Sequence, residues 1–485
     1  SNFELEFKRS FMKLEQIYTG CLAQGAYYIM SEGEVAIIDP LREVEPYIQK
    51  AALDKAKIKY VLETHFHADF VSGHLDLAKK TGATIVYGPN AAPSFDFHSA
   101  KDGEEIKLGK LTIKVLHTPG HTMESTCYLL IDEGGKQVAL FSGDTLFIGD
   151  VGRPDLAQKI KSDLTQEILA GYLYDSLRNK IMTLSDDIVI YPAHGAGSAC
   201  GKKMSKETQD TLGNQKQTNY ALAADMTKEE FVTAVLDGLV APPGYFPLNV
   251  MMNIQGYDSI DKVLERGQHA MSPAAFETAA NETGALILDT RDPQTFAKGF
   301  IPNSINIGID GSFAPWVGAM IPDIKQEILL VADKGREAEV ITRLARVGYD
   351  YTIGFLENGF EAWEKSGKEI DHIISLDAAA IASLKVKDSS IKIVDVRKAS
   401  EYSSEHIVGV QNAPLDFIND SMAAIDKNQT YYVHCQGGYR SMIFISILKA
   451  RGFDHLIDIK GGYKELKESG QFKTTDYSIP KTLLL

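Results

Sequence analysis

Thr64-His65-Phe66-His67-Ala68-Asp69-Phe70 comes directly after residues 58–63, a short apolar run that reads as a β-strand. With His and Asp spaced at i, i+2 and i+4 in a loop, several of these side chains can face one point. Three more clusters close apolar runs in the same manner. In Thr118-Pro119-Gly120-His121-Thr122, Pro and Gly set the turn that aims His121, while Ser142-Gly143-Asp144-Thr145 and Tyr191-Pro192-Ala193-His194-Gly195 end two later runs. A lone His is more often a packed residue than a ligand, but four strand-end clusters of His and Asp point to a bound metal. They sit where layered α/β folds place their chemistry.

Residues 12–255 read as one unit, with strands at 14–18, 26–30, 34–38, 58–63, 111–116, 127–131 and 138–141. Residues 201–217 are polar and are expected to form a loop leading into a helix over 228–239. The cluster Ala241-Pro242-Pro243-Gly244-Tyr245-Phe246-Pro247 and a helix start at Ser272-Pro273 mark the boundary to the C-terminal part of the chain. The first eleven residues, which open without Met, are expected to be in part foreign to the native chain.

The His and Asp clusters resemble the metallo-β-lactamase superfamily, whose motifs are a His-x-His-x-Asp-His loop followed by single His, Asp and His ligands. The likeness spans about residues 12–200. It implies an αββα sandwich. One departure matters. Where superfamily hydrolases carry the last His of the loop, which holds a second metal, this chain has Phe70, which coordinates nothing. One site is then expected, with His65, His121 and Asp144 as ligands. Two imidazoles and one carboxylate with open positions are typical of non-heme Fe(II) oxygenases, so one Fe(II) per chain is expected. His67, Asp69 and His194 are left to orient ligands or water. Arg153 either binds a substrate carboxylate or forms a structural ion pair.

The last 200 residues repeat at a period of about 105 residues. Leu286-Ile287-Leu288-Asp289-Thr290-Arg291-Asp292 matches Ile391-Lys392-Ile393-Val394-Asp395-Val396-Arg397-Lys398. Asn358-Gly359-Phe360-Glu361-Ala362-Trp363 matches Gly461-Gly462-Tyr463-Lys464-Glu465-Leu466. Each copy alternates short apolar runs with helical stretches, so two α/β domains on parallel sheets are expected at 259–368 and 374–485.

In the second copy, Cys435-Gln436-Gly437-Gly438-Tyr439-Arg440-Ser441 joins a strand to a helix. Two glycines let the backbone curl around the sulfur, and the helix N-terminus aims N–H dipoles at it, which favours an anionic sulfur and makes Cys435 the expected nucleophile. This loop, with Asp395-Val396-Arg397, resembles the rhodanese domain, whose loop from Cys to Arg binds and transfers sulfane sulfur. The first copy has Asp333 at the expected nucleophile position, and a carboxylate cannot carry a persulfide, so that copy is expected to be silent. Cys200, near His194 in sequence, is a candidate regulatory thiol, whereas Cys21 and Cys127 are expected to be inert.

Taken together, the chain resembles the persulfide dioxygenase/rhodanese fusion family. The resemblance implies Fe(II)- and O₂-dependent oxidation of a low-molecular-weight thiol persulfide to sulfite, coupled to transfer of sulfane sulfur between persulfide, sulfite and thiosulfate in sulfide detoxification. Cys435 would be the carrier, with Arg440 and the loop residues Gln436, Gly437, Gly438 and Tyr439 stabilising the anionic sulfur. A dinuclear-zinc thioester hydrolase of glyoxalase II type is the alternative, and a sulfur carrier or sensor with a relic metal site is a third possibility.

The chain has 485 residues, 44% hydrophobic and 24% charged, which fits about three globular domains. A net charge of −15 repels phosphate backbones and anionic lipid, so neither nucleic acid nor membrane is an expected partner. No apolar run reaches the ~18 residues of a membrane span, and no secretion signal opens the chain, so a cytoplasmic protein is expected. Four scattered cysteines argue for reduced thiols. A homo-oligomer is expected.

Overall fold

The computed structural model describes residues 12–157 and 163–480; the first eleven residues lie outside the described ones. The chain divides into two compact units, which meet in sequence at Ile260 and Asp261.

In the first unit, Met12–Thr19 (β1), Gln24–Ser31 (β2), Glu34–Ile38 (β3), Lys57–Leu62 (β4), Thr84–Tyr87 (β5) and His98–Ser99 (β6) form a mixed sheet in the order β1-β2-β3-β4-β5-β6. Glu105–Leu108 (β7), Leu111–His117 (β8), Thr126–Ile131 (β9), Gln137–Gly143 (β10), Val189–Pro192 (β11) and Asp210–Thr211 (β12) form a second, ordered β12-β11-β10-β9-β8-β7.

Successive strand side chains point to opposite faces, and both faces of each sheet are apolar. Tyr27 and Ile29 of β2 pack inward against Val115, Leu130 and Phe141 of the other sheet. Their neighbours Ala26, Tyr28 and Met30 face Val44, Tyr47 and Leu77, the last two on the helices Glu45–Leu53 and His74–Thr81. On the second sheet, Leu116, Leu129 and Leu140 turn outward onto Leu173 and Phe231, on the helices Gln166–Ser176 and Lys228–Leu236. The result is the expected αββα sandwich.

The stretch 201–217 is not wholly a loop. It supplies β12 and the start of the helix Leu212–Thr218, because the Thr211 hydroxyl caps Asn214 N at 3.2 Å and Leu212 is drawn into the core. The unit closes with the helix Phe246–Gln255, whose Val250 and Ile254 pack against Phe66, Ile85 and Tyr87.

The second unit holds two five-stranded parallel sheets of one topology. Ala270–Met271 (β13), Leu286–Asp289 (β14), Ile305–Asn306 (β15), Ile328–Val331 (β16) and Thr352–Leu356 (β17) are ordered β13-β17-β16-β14-β15. Ser375–Leu376 (β18), Lys392–Asp395 (β19), Gln411–Asn412 (β20), Tyr431–His434 (β21) and Leu456–Ile459 (β22) are ordered β18-β22-β21-β19-β20. The sequence repeat is therefore a repeat of strand order as well. Among the described residues, no helix is long and apolar enough to cross a membrane.

Candidate metal centre and thiol loop

β3, β4, β8, β10 and β11 end at one edge of the sandwich, and the loops after them carry Asp39, His65, His121, Asp144 and His194. All five are buried. His65 Nδ1 lies 2.9 Å from Thr64 Oγ1, and that hydroxyl gives its own proton to Asp39 Oδ2 at 2.8 Å. The hydroxyl must then accept from Nδ1–H, which leaves His65 Nε2 bare. His121 Nδ1 is 2.8 Å from the Arg153 carbonyl, which can only accept, so His121 Nε2 is bare too. Burial holds His121 down at about 4, so it stays neutral.

Asp144 Oδ1 accepts from His194 Nδ1 at 2.8 Å. Its Oδ2 has no hydrogen-bond partner and lies 3.5 Å from His65 Nε2 and 3.3 Å from His121 Nε2. These three donor atoms lie within 4.8 Å of one another. Two bare imidazole nitrogens facing an uncompensated buried carboxylate oxygen are costly unless a cation sits among them, so the residues fit a metal ion.

The neighbouring polar groups form a shell around this trio. His67 Nε2 lies at ion-pair distance from Asp39, 3.0 Å, and from Glu63, 3.5 Å. Burial opposes its charge, but the two carboxylates hold His67 well above its ordinary value. Burial pushes Glu63 up to about 7, and Ser72 hydrogen-bonds it. His194 also reaches Asp69, 2.8 Å from Nε2 to Oδ2, though the angle falls short of a hydrogen bond. Burial disfavours the imidazolium, yet Asp144 and Asp69 raise His194 to about 10. Phe70 is fully buried, its ring 4.4 Å from that of His67 and 6.5 Å from that of His194.

Sequence reasoning missed Asp39, Thr64 and Asn253. Asp39 ends an apolar strand, a signal of the same kind as Asp144. Asn253 left none: from the distant helix Phe246–Gln255 it donates to the His67 and Phe70 carbonyls at 2.8 and 2.9 Å and accepts from Ser72 N at 2.9 Å.

Two candidates, Arg153 and Cys200, are enclosed. The Arg153 guanidinium is committed to Asp155, with bonds of 2.7 and 2.8 Å, and to the Ala199 and Val240 carbonyls, so the ion-pair alternative describes it. Cys200 is buried beside Asp69 and His194. Burial, reinforced by Asp69 and Asp144, pushes its thiol well above the ordinary range.

In the second unit Cys435 follows β21 and is buried. Gly438, in the left-handed region at φ +106°, turns its N–H onto Cys435 Sγ at 3.0 Å and caps the helix Tyr439–Ala450. Arg440 stands close enough to Cys435 for the two charges to interact, but it makes no hydrogen bond to the sulfur. Its guanidinium makes a two-pronged bridge to Glu401, at 2.6 and 3.0 Å, so the backbone amide of Gly438 rather than Arg440 is the donor on the sulfur. Gln436 accepts from Arg397 at 3.3 Å, and the Tyr439 hydroxyl donates to the Gly308 carbonyl at 2.6 Å.

The counterpart of Cys435 also needs correction. Asp289 pairs with Val331, and its twin Asp395 with His434. Both loops then reach a left-handed glycine, Gly335 and Gly438. Strand register therefore sets Ala332, not Asp333, opposite Cys435. A methyl group is as unable to carry sulfur as a carboxylate.

The chain is similar to known proteins over both units. The metallo-β-lactamase superfamily model matches residues 19–194, and the rhodanese-like domain model matches 272–366 and 378–469. The chain is 33% identical over 165 residues to the mitochondrial persulfide dioxygenase ETHE1 of Homo sapiens, spanning 33% of this chain and 59% of that one. It is 31% identical over 194 residues to the hydroxyacylglutathione hydrolase GloC of Haemophilus influenzae, spanning 36% and 85%. A metallo-β-lactamase of Staphylococcus aureus, solved by crystallography, is 32% identical with a TM-score of 0.63, over 72% of this chain and 99% of that one. The chain belongs to the metallo-β-lactamase superfamily and carries rhodanese-like domains fused behind its N-terminal metallo-β-lactamase domain.

Proposed function

We propose that this protein is a persulfide dioxygenase coupled to a sulfurtransferase, the first activity in the N-terminal unit and the second in the repeat that holds Cys435. The observation that carries the reading is Phe70, a buried ring where dinuclear hydrolases of the superfamily need a ligand, beside a complete trio of His65, His121 and Asp144. A ferrous ion bound by that trio would supply open positions at which a persulfide sulfur, the source of the electrons, could meet O₂.

The chain's own groups do the rest. Asp39 and Thr64 hold the His65 tautomer, the Arg153 carbonyl holds that of His121, and the Phe70 and Phe147 rings pack edge-on beside His194. The overall step converts persulfide, O₂ and water into thiol and sulfite. Cys435 then carries sulfane sulfur from a second persulfide to sulfite, giving thiol and thiosulfate, with the Gly438 amide supporting the anionic sulfur.

One observation favours a second reading. Asp69, His194 and Cys200 cluster beside Asp144, as a residual second metal site would, and the relatives include hydroxyacylglutathione hydrolases. Anaerobic purification, quantitation of iron and zinc, and assays of O₂ uptake with glutathione or coenzyme A persulfide separate the two. One iron per chain with O₂ uptake is expected. Two zinc ions per chain, with thioester hydrolysis and no O₂ uptake, would overturn the proposal.

A further inference from the structure

The Cys435 loop is backed by a buried polar chain that the silent repeat lacks. Cys435 Sγ lies 3.7 Å from Ser441 Oγ, and Ser441 donates to Asp458 Oδ1 at 2.9 Å. Asp458 Oδ2 receives Ser375 at 2.7 Å and Gln294, from the first repeat, at 2.9 Å. Ser441 and Asp458 are fully buried and Cys435 nearly so.

Strand register identifies the counterparts. Phe355 pairs with Leu330 and Ala270 where Asp458 pairs with Val433 and Ser375, and Ala338 follows Ala332 at the spacing by which Ser441 follows Cys435. Ser375, Ser441 and Asp458 thus answer to Ala270, Ala338 and Phe355. Burying a carboxylate and a hydroxyl is costly, and at these positions only the repeat with the thiol does so.

We propose that Ser441 and Asp458 form a proton relay for Cys435, and that the silent repeat sets the relay's far end through Gln294. This rests on Cys435 being the sulfur carrier. In the step, the Sγ–H proton passes to Ser441 Oγ as the Ser441 hydroxyl proton passes to Asp458 Oδ1. One S–H bond breaks and one carboxyl O–H bond forms. The negative charge moves from carboxylate to sulfur, and no electrons are exchanged. Ser441 then points its remaining proton at the sulfur anion.

Burial raises the Asp458 carboxyl above its usual range, as a proton acceptor in this place requires, while Ser375, Ser441 and Gln294 oppose that rise. The charged or titratable groups facing the relay are His434, the Asp395–Arg397 pair and Arg440.

The test is the pH profile of Cys435 alkylation by iodoacetamide in the full-length protein, followed by peptide mass spectrometry. Wild type is expected to keep a reactive shoulder on the acid side, because each proton that the relay hands to Asp458 leaves the sulfur free. Ser441→Ala and Asp458→Asn should lose the shoulder, show a single step, and react about tenfold more slowly near about pH 6. Asp458→Glu should restore part of it. Gln294→Leu removes a donor that favours the ionised carboxylate, so it should raise the acid-side rate.

Should Asp458→Asn fail to fold, Ser441→Ala, a single hydroxyl deletion, decides alone. Profiles of the same shape in wild type and Ser441→Ala, or a lower acid-side rate in Gln294→Leu, would overturn the relay. A shoulder without thiosulfate formation would instead leave the relay standing and defeat the sulfur-carrier reading.

Discussion

In the first repeat Arg291 grips Asp289, the Gly299 carbonyl and the Phe360 ring, while in the second Arg397 grips Asp395, the Glu405 carbonyl and the Tyr463 ring. Asn306 and Asn412 brace the two arginine turns through the same pair of carbonyls. These buried clamps are twins, yet one loop presents Cys435 and the other Ala332. The scaffold and the chemistry are separable: the clamps fix the loop that crosses the sheet edge, and a few residues behind it decide whether a thiol there can work.

The largest effect expected from this contrast is on turnover. Cys435→Ser should lower thiosulfate formation from persulfide and sulfite by more than about a thousandfold, while O₂ uptake is retained. Residual transfer in that variant would locate the carrier elsewhere.

Next come the clamps. Asp289→Asn and Asp395→Asn each leave a buried guanidinium poorly compensated and should each cost about 3–5 kcal/mol of stability by urea titration. A clear inequality would mean the two arginine turns are not equivalent.

A smaller effect separates the repeats by pH. Burial raises Asp458 in the folded state, so its favourable contribution is complete below the ordinary carboxylate range and is lost as pH rises through the raised value. Wild type should therefore lose ground against Asp458→Asn on going from acid to neutral pH, at most ~1.4 kcal/mol per pH unit for one proton. Thermal denaturation over a pH series measures this, and a gap that stays constant would contradict it.

Smallest of all is Ala332→Cys in the Cys435→Ser background. It should cost less than about 1.5 kcal/mol and create no detectable transfer, because Glu337, Ala338 and Phe355 stand where the working loop has Arg440, Ser441 and Asp458. Recovered transfer would show that the thiol alone suffices.

Much of the molecule is legible in its sequence. Strand-end His and Asp clusters point to the trio that the fold brings together as a candidate metal centre, because apolar runs ending in polar loops mark a sheet edge, and the repeat emerges from its Asp-x-Arg and glycine signatures. Other features are not. A one-residue slip between Ala332 and Asp333 is invisible when a short strand runs into a loop, since only pairing across the sheet fixes register. Arg440 reads as a donor on the sulfur because its partner, Glu401, lies a whole helix and two strands away. Thr64 reads as a linker, although its hydroxyl is the group that settles which nitrogen of His65 is bare. Cys200 draws attention from its proximity to His194, and that proximity is real, but its burial and the carboxylates beside it, which push the thiol upward, leave no mark in the sequence.

The clasp from Asn253 bears on how this enzyme can be divided. The superfamily model ends at residue 194, and a fragment trimmed there would still encode all three donor atoms of the trio. It would lack the amide that pins the loop at His67 and Phe70, the Tyr257 hydroxyl bonded at Ser72, and the Asp258 carbonyl that receives Arg42. Excising the N-terminal catalytic module intact therefore means cutting after Ile260, whose amide is anchored by Asp76. Shorter versions would expose the motif loop to solvent on the side where the missing helix should lie.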